Sequence, residues 1–194
     1  MFNRVSADGY FAAPDGNLSW VVPEPEVDKE GSSGSGGTDT ILFGRRTYDQ
    51  FESFWPKVTE DSPAPVDPHS PGQASPEMKK FAKIINEAKK IVFSRTRKDV
   101  TWTNSRLIHE FDPTDVAEMK QEPGKTMMIF GSGTIVSQLS EHGLIDEYHF
   151  IVSPLLLGDG KQLIHDVSKK VKLELREAKA YPSGNVKLRY ARAG

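Results

Sequence analysis

Three places in the sequence combine residue types that can hold a phosphate group. The first is a glycine-rich turn between an apolar run and an amphipathic segment, made of Gly131, Ser132, Gly133, Thr134 and Ile135. Glycines let a ligand approach the backbone, and the free N–H groups and dipole of a helix N-terminus favour an anion. The turn lacks the third glycine of the Rossmann fingerprint, because position 136 is Val136. Taken by itself, it fits phosphate binding and an ordinary strand-to-helix connection equally well.

The second place joins the apolar run 40–43 to a helical pattern and consists of Gly44, Arg45, Arg46 and Thr47. Two arginines in the first turn of a helix oppose its dipole, and a bound anion would compensate for them. Guanidinium groups and the N–H groups of a helix N-terminus together suit a phosphate monoester. The alternative is a solvated surface pair, which is the commoner meaning of an isolated Arg-Arg.

The third place is the turn Ser94-Arg95-Thr96, which follows the apolar run 91–93. Open α/β sheets bind ligands outside the carboxyl ends of their strands. Three phosphate-compatible turns at consecutive strand ends therefore favour a nucleotide site, although each turn is a weak signal. Asp8 also follows a strand at this edge and is the one candidate for a substrate-side catalytic residue, whereas Asp15-Gly16 is typical of a turn.

The elements that must position these residues alternate between helical and extended patterns. Tyr48, Phe51 and Trp55 fall at helical spacing, and Ser75-Pro76 marks the start of a second helix. At the end of the chain, two period-2 runs flank residues 182–185 and predict an antiparallel hairpin. We therefore expect an α/β fold whose sheet is largely parallel at first and antiparallel at the end.

Composition excludes several classes of function. The 194 residues fit one domain over 1–194. Because 25 basic residues face 27 acidic ones, we expect neither nucleic acid nor a membrane surface as a partner. The chain contains no cysteine, which excludes disulfides, thiolate metal sites and thiol nucleophiles. Its five histidines show no metal-ligand spacing, so no metal site is expected.

Two segments differ from the rest in composition, and we predict flexible surface loops at 31–37 and 56–76. The first is a Gly/Ser run, and the second contains six of the 13 prolines. Tolerated insertions are the favoured interpretation, and a lid beside a ligand site is the alternative. No apolar run is long enough for a signal peptide or a membrane span, so a cytoplasmic protein is expected.

Eight motifs span nearly the whole chain: SADGYF (6–11), PDGNLSW (14–20), LFGRRTY (42–48), KIVFSRT (90–96), WTN (102–104), FGSGT (130–134), LIDEY (144–148) and PLLLGDGK (154–161). Taken in this order, they resemble the dihydrofolate reductase-like superfamily. Within it, the sequence is most similar to stand-alone relatives of the C-terminal reductase domain of the bifunctional riboflavin-biosynthesis deaminase-reductase.

The resemblance implies a three-layer αβα fold with a mixed, mostly parallel sheet and an NADPH site. It assigns the stretch Gly44–Thr47, which includes Arg46, to the cofactor site. Within this stretch, Arg45 and Thr47 would contact the cofactor, with Arg45 near the adenosine 2′-phosphate or the pyrophosphate. It places Ser94 and Arg95 by the same 2′-phosphate and the adenine. The turn 131–135 would then cradle the pyrophosphate.

The activity that the resemblance implies is hydride transfer from NADPH to a small pterin- or pyrimidine-like substrate, by a homodimer. The alternative is a non-catalytic nucleotide-binding or dimeric interaction module on the same fold. True dihydrofolate reductases carry a folate-binding carboxylate on a long helix after the first loop. Residues 21–30 hold two prolines and precede the Gly/Ser run, which leaves little room for that helix, so folate itself is not the expected substrate.

Overall fold

A computed structural model describes residues 1–34, 37–59, 75–124 and 126–193. The chain divides into two compact units. Unit 1 comprises Met1–Pro23, Asp112–Gln121 and Ile129–Gly194, and unit 2 comprises Glu24–Phe111 and Glu122–Met128. The assignment of residues 1–194 to a single domain stays a prediction.

The elements are numbered in chain order. The strands are β1 Phe2–Ser6, β2 Tyr10–Ala12, β3 Thr38–Gly44, β4 Lys89–Phe93, β5 Ser105–Ile108, β6 Thr126–Ile129, β7 Glu147–Ser153, β8 Lys161–Gln162, β9 Leu173–Ala180 and β10 Val186–Arg192. The helices are α1 Pro25–Gly34, α2 Arg45–Phe54, α3 Pro76–Glu87, α4 Pro113–Met119 and α5 Gly133–Glu141, with a 3-10 helix at Trp55–Lys57. Among the described residues, no helix has both the length and the apolar character needed to cross a membrane.

Unit 2 is built on a sheet with the strand order β5-β4-β3-β6. Strand β4 runs parallel to both β3 and β5, and Gly44 at the end of β3 pairs with Phe93 at the end of β4. Ile41, Phe43 and Val92 are fully buried, as expected for parallel strands that are covered on both faces. The two strands therefore end at the same edge of the sheet.

Unit 1 contains a second sheet, with the order β1-β7-β10-β9, and a small β2-β8 pair. Strand β1 is parallel to β7, whereas β10 is antiparallel to both of its neighbours. The turn between β9 and β10 is closed by the Tyr181 N–H, which donates to the Asn185 carbonyl at 2.9 Å. The predicted α/β class, with a mostly parallel sheet and a C-terminal antiparallel hairpin, is confirmed.

Helix α1 corrects the expectation for residues 21–37. We expected little room for a helix in 21–30 and a flexible loop over 31–37, yet residues 25–34 are helical. Pro25 takes the first helical position, where the missing N–H costs nothing, and the Glu24 carboxylate accepts from the Glu26 N–H at 3.3 Å. Val27 is buried and α1 packs against α3, so tertiary contacts override the weak helix propensity of the Gly/Ser run.

The second predicted loop, 56–76, is tested only at its ends, since residues 60–74 lie outside the described residues. Its first residues belong to the 3-10 helix Trp55–Lys57. Helix α3 begins at its last residue, Pro76, and the hydroxyl of the cap residue Ser75 accepts from the Met78 N–H at 3.1 Å. The predicted N-cap is therefore confirmed, and the bounds of the predicted loop overlap the 3-10 helix at one end and the first residue of α3 at the other.

Gly31 provides a direct test of α1. A methyl group at this position would meet no atom within 4 Å, so Gly31→Ala adds helix propensity without a clash. We expect the variant to raise the free energy of unfolding by about 0.5–1 kcal/mol, measured by urea denaturation. Gly9→Ala is the matched control: Gly9 is equally open but has φ +91°, so alanine there should be destabilising. A loss of stability in Gly31→Ala would contradict the helix.

Candidate functional site

The junction of β3 and α2 places two arginines at the start of a helix. Gly44 is the cap residue; no side chain caps the helix there, and the first turn contains no acidic residue. Arg45 and Arg46 are exposed, whereas Thr47 is buried. The first N–H groups of a helix have no partner within it and give its N-terminus a partial positive charge. The side chains of Arg45 and Arg46 add positive charge at the same place. This arrangement favours an anion.

The turn after β4 lies at the same edge, because Gly44 pairs with Phe93. Ser94 is buried, and its N–H donates to the Ile108 carbonyl at 3.0 Å. The Ser94 hydroxyl oxygen accepts from the N–H of Thr96 at 3.3 Å and from the N–H of Arg97 at 3.0 Å. These bonds hold the turn that carries the exposed Arg95. Two of the three predicted groups thus share one sheet edge in unit 2, while their role in binding stays a prediction.

The third predicted group, 131–135, lies in unit 1 and runs from the residue after the strand-bridging Phe130 into the first turn of α5. Gly131 and Ser132 both have left-handed backbones, with φ 53° and 56°. For a serine this conformation costs about 1–2 kcal/mol, and such strain is typical of functional turns. Ser132 is the cap residue of α5 but makes no side-chain cap bond. The start of α5 therefore also lacks a side-chain cap and suits an anion.

Two residues of this turn have a packing role. A methyl group on Gly133 would lie 3.1 Å from the Leu163 carbonyl oxygen and 3.1 Å from a ring carbon of Phe11. Close packing therefore explains this glycine without a ligand. Ile135 is 4% exposed and belongs to the core, so only its backbone is available for binding. Thr134 is exposed.

Asp8, the predicted catalytic residue, fastens a loop of unit 1. Its carboxylate accepts from the Ser6 hydroxyl at 2.5 Å, from the Leu157 N–H at 3.1 Å and from the Gly158 N–H at 2.7 Å. The Ser6 hydroxyl, followed by the two N–H groups, holds the pKa of Asp8 below its usual value. An ionised carboxylate has no proton to donate, so this geometry describes a group that positions the loop. A catalytic role for Asp8 stays a prediction.

Sequence reasoning missed a fourth basic residue of this edge, Arg97. Its guanidinium is paired with Asp49 and, at 2.6 Å, with the Glu52 carboxylate. It also lies 4.7 Å from the centre of the Tyr48 ring. These contacts attach the turn after β4 to α2. The sequence did contain one signal. Asp49 and Glu52 are three positions apart, so they lie on one face of α2, and two neighbouring negative charges favour a basic partner.

Glu52 is the most extensively bonded carboxylate of this network. It accepts from the Tyr48 hydroxyl at 3.1 Å, the Thr101 hydroxyl at 2.6 Å and the Trp102 N–H at 3.1 Å. Burial by itself raises the pKa of Glu52, but the hydrogen bonds from Thr101, Arg97 and Tyr48 outweigh burial and lower the pKa to about 2. The fold therefore depends on this group being ionised.

Glu52 gives unit 2 a defined response to acid. Because its pKa in the fold is about 2 against an ordinary 4.5, its contribution to stability is complete above pH 4.5 and is lost as the pH falls towards 2. The difference in pKa corresponds to about 3 kcal/mol, of which about 2 kcal/mol should disappear between pH 6 and pH 3. We expect Glu52→Gln to be less stable than the wild type at pH 6 and to lose correspondingly less on acidification, measured by urea denaturation. Glu110→Gln, at an exposed position, should keep the wild-type pH dependence; the same dependence in Glu52→Gln would contradict the assignment.

Comparison with known proteins identifies the family. The chain is 27% identical over 186 residues to YyaP of Bacillus subtilis, an uncharacterized protein, covering 96% of this chain and 90% of the relative. A structure from Shewanella sp. PV-4 that is named as a riboflavin biosynthesis protein has a TM-score of 0.73 at 21% identity, covering 100% of this chain and 97% of the other. Dihydrofolate reductase from Enterococcus faecalis, complexed with NADP(H), has a TM-score of 0.63 at 12% identity, covering 100% and 95%.

These structural likenesses show a shared dihydrofolate reductase-like fold. The model of the RibD C-terminal domain family matches residues 1–187. Because that match covers nearly the whole chain, the protein belongs to the RibD C-terminal domain family.

Proposed function

We propose that this protein is an NADPH-dependent oxidoreductase that transfers hydride to a small heterocycle of the pyrimidine or pterin kind. Membership of the family supports a reductase activity. One observation supports NADPH rather than NADH as its cofactor. At one sheet edge of unit 2, the exposed Arg45 and Arg46 stand at the start of α2, and the exposed Arg95 follows the neighbouring strand. Three guanidinium groups suit the 2′-phosphate dianion of NADPH better than the ribose hydroxyl that NADH has at the same position.

The residues present fit such a cofactor. In unit 2, Arg45, Arg46 and Arg95 would hold the 2′-phosphate, with Ser94 fixing the turn that carries Arg95. In unit 1, considered by itself, the uncapped start of α5 in the turn 131–135 offers N–H groups of the kind that bind a pyrophosphate. NADPH supplies the hydride when it is bound, and the protein supplies binding and orientation. Asp8 keeps residues 157–158 in place while remaining ionised.

A second candidate function is a nucleotide-binding module without catalytic activity. One observation favours it: Asp8, the one predicted catalytic group, is an engaged carboxylate with a lowered pKa and is unsuited to donating a proton. The two candidates differ in one measurement, the oxidation of bound NADPH by a panel of pterins and aminopyrimidines. Loss of nicotinamide absorbance with any of them supports the oxidoreductase, and NADPH binding without turnover supports the module.

The cofactor proposal is tested by titrating NADPH and NADH against tryptophan fluorescence. We expect saturable binding that is tighter for NADPH. Arg45→Ala should weaken NADPH binding about tenfold or more, because this is the change in affinity that corresponds to losing one charge-assisted hydrogen bond. The same variant should change NADH binding much less. Arg106→Ala, an exposed arginine on β5 of the same unit, is the matched control and should leave both affinities unchanged. An absence of saturable binding would overturn the nucleotide site, and equal losses for both nucleotides would overturn the 2′-phosphate assignment.

We also propose that the protein is a homodimer that pairs through β9. This strand is the last in its sheet, so within the described part of the chain one side of its backbone has no strand partner. Leu173 and Leu175, two residues apart on one face of β9, are 37% and 56% exposed. A second copy would satisfy the edge and cover the leucines.

Leu175→Glu tests the dimer. We expect the wild type to sediment as a dimer and the variant as a monomer, because a charge at the centre of the pairing face is costly to bury. Leu156→Glu is the control, since Leu156 is 74% exposed on a loop outside β9 and its variant should stay dimeric. A monomeric wild type would refute the proposal.

A further inference from the structure

The Arg45 guanidinium, to which the proposed function gives a phosphate, is already held by a carboxylate of its own helix. Nη1 of Arg45 lies 3.2 Å from Oδ2 of Asp49, which is one turn further along α2. The other oxygen of Asp49, Oδ1, accepts from Nη1 of Arg97. One carboxylate therefore bridges two guanidinium groups.

The two bonds of Asp49 differ in their surroundings. The Arg97 side chain is only 18% exposed and keeps a second carboxylate partner, Glu52, at 2.6 Å. The Arg45 side chain is 44% exposed and, among the described residues, has Asp49 as its one ion-pair partner. Exposed ion pairs contribute little to stability. Arg45 is therefore the partner that can leave, and Asp49 remains paired with Arg97 when it does.

Arg45 also differs from the other two arginines of the proposed phosphate site. Arg46 and Arg95 are exposed, and neither forms an ion pair with a residue in the described ranges. Of these three guanidinium groups, Arg45 is the one that forms an ion pair with Asp49 in the described ranges. A phosphate that binds this side of the Arg45 guanidinium must displace the carboxylate, and a phosphate on its other N–H groups still lies near the negative charge of Asp49.

We propose that Asp49 is a specificity-determining residue: it competes with the phosphate for Arg45 and so sets how far NADPH is preferred to NADH. The inference rests on the proposed function. A phosphate monoester carries about −1.5 to −2 charges at pH 7 and displaces a single carboxylate, whereas a ribose hydroxyl does not. Asp49 therefore lowers the affinity for the phosphorylated cofactor while leaving the other nucleotide largely unaffected.

The central experiment is to measure the affinities of Asp49→Asn for NADPH and NADH. The substitution removes the negative charge of Asp49 but keeps an oxygen that can accept from Arg97. Arg97 also retains its ion pair with Glu52. We expect NADPH to bind about two- to fivefold more tightly than to the wild type, with NADH binding changed less than this. Unchanged or weaker NADPH binding, or an equal gain for NADH, would overturn the inference.

Three further variants separate competition from other effects. Asp99→Asn removes an exposed negative charge that follows the same turn without releasing an arginine, so NADPH affinity should not rise; a matching gain would refute local competition. Asp49→Glu keeps the charge and should show no gain, so tighter binding in this variant would also refute it. In the Arg45→Ala background, Asp49→Asn should no longer improve NADPH binding; a persisting gain would show that Asp49 does not act through Arg45.

The outcome for the wild type distinguishes this inference from the function on which it rests. If the wild type binds NADPH more tightly than NADH and Asp49→Asn shows no further gain, the competition fails and the proposed function stands. If the wild type does not bind NADPH, both fail. Urea denaturation of each variant verifies that a change in affinity is not a change in folding.

Discussion

The register of β3 against β4 is the constraint on which the arginine-bearing edge depends. Gly44 pairs with Phe93, so the chain leaves both strands at the same level of the sheet. Apolar packing fixes this register, because Phe43 and Val92 are fully buried and a slip of one residue would turn every side chain to the opposite face. Packing of apolar side chains in the sheet thus determines the positions of the arginines that follow these two strands.

The same edge combines two kinds of electrostatic environment. Arg45 and Arg46 begin a helix whose dipole disfavours them, and both are open to solvent. Arg97, by contrast, is largely covered and has two carboxylates and an aromatic ring as partners. The covered arginine joins two elements, while the exposed ones keep most of their contact with solvent.

Signals that involve neighbouring residues allowed most elements to be predicted from sequence. The Ser75 cap and the terminal hairpin are both encoded within a few positions. Helix α1 was missed because its support is not local. Its Gly/Ser half has poor propensity, and what holds it is the burial of Val27 and packing against α3.

The site divides in the same way. The shared edge of residues 44–47 and 94–95 was predicted because parallel strands place their carboxyl ends together. The pairing of Arg97 with Asp49 spans 48 positions, and the bond from the Gly158 N–H to Asp8 spans 150. Acidic and basic residues are numerous in this chain, so partners at such separations have no distinguishing mark in a single sequence.

The packing around Gly133 bears on what the Gly-Ser-Gly turn indicates in this chain. Its lack of a side chain is required by Phe11 and the Leu163 carbonyl, both of which belong to the body of unit 1. Folding by itself therefore requires a glycine at this position, whether or not the turn binds a ligand. Packing accounts for this glycine, so the turn carries less weight for the proposed nucleotide site than the solvent-facing arginines of the other unit do.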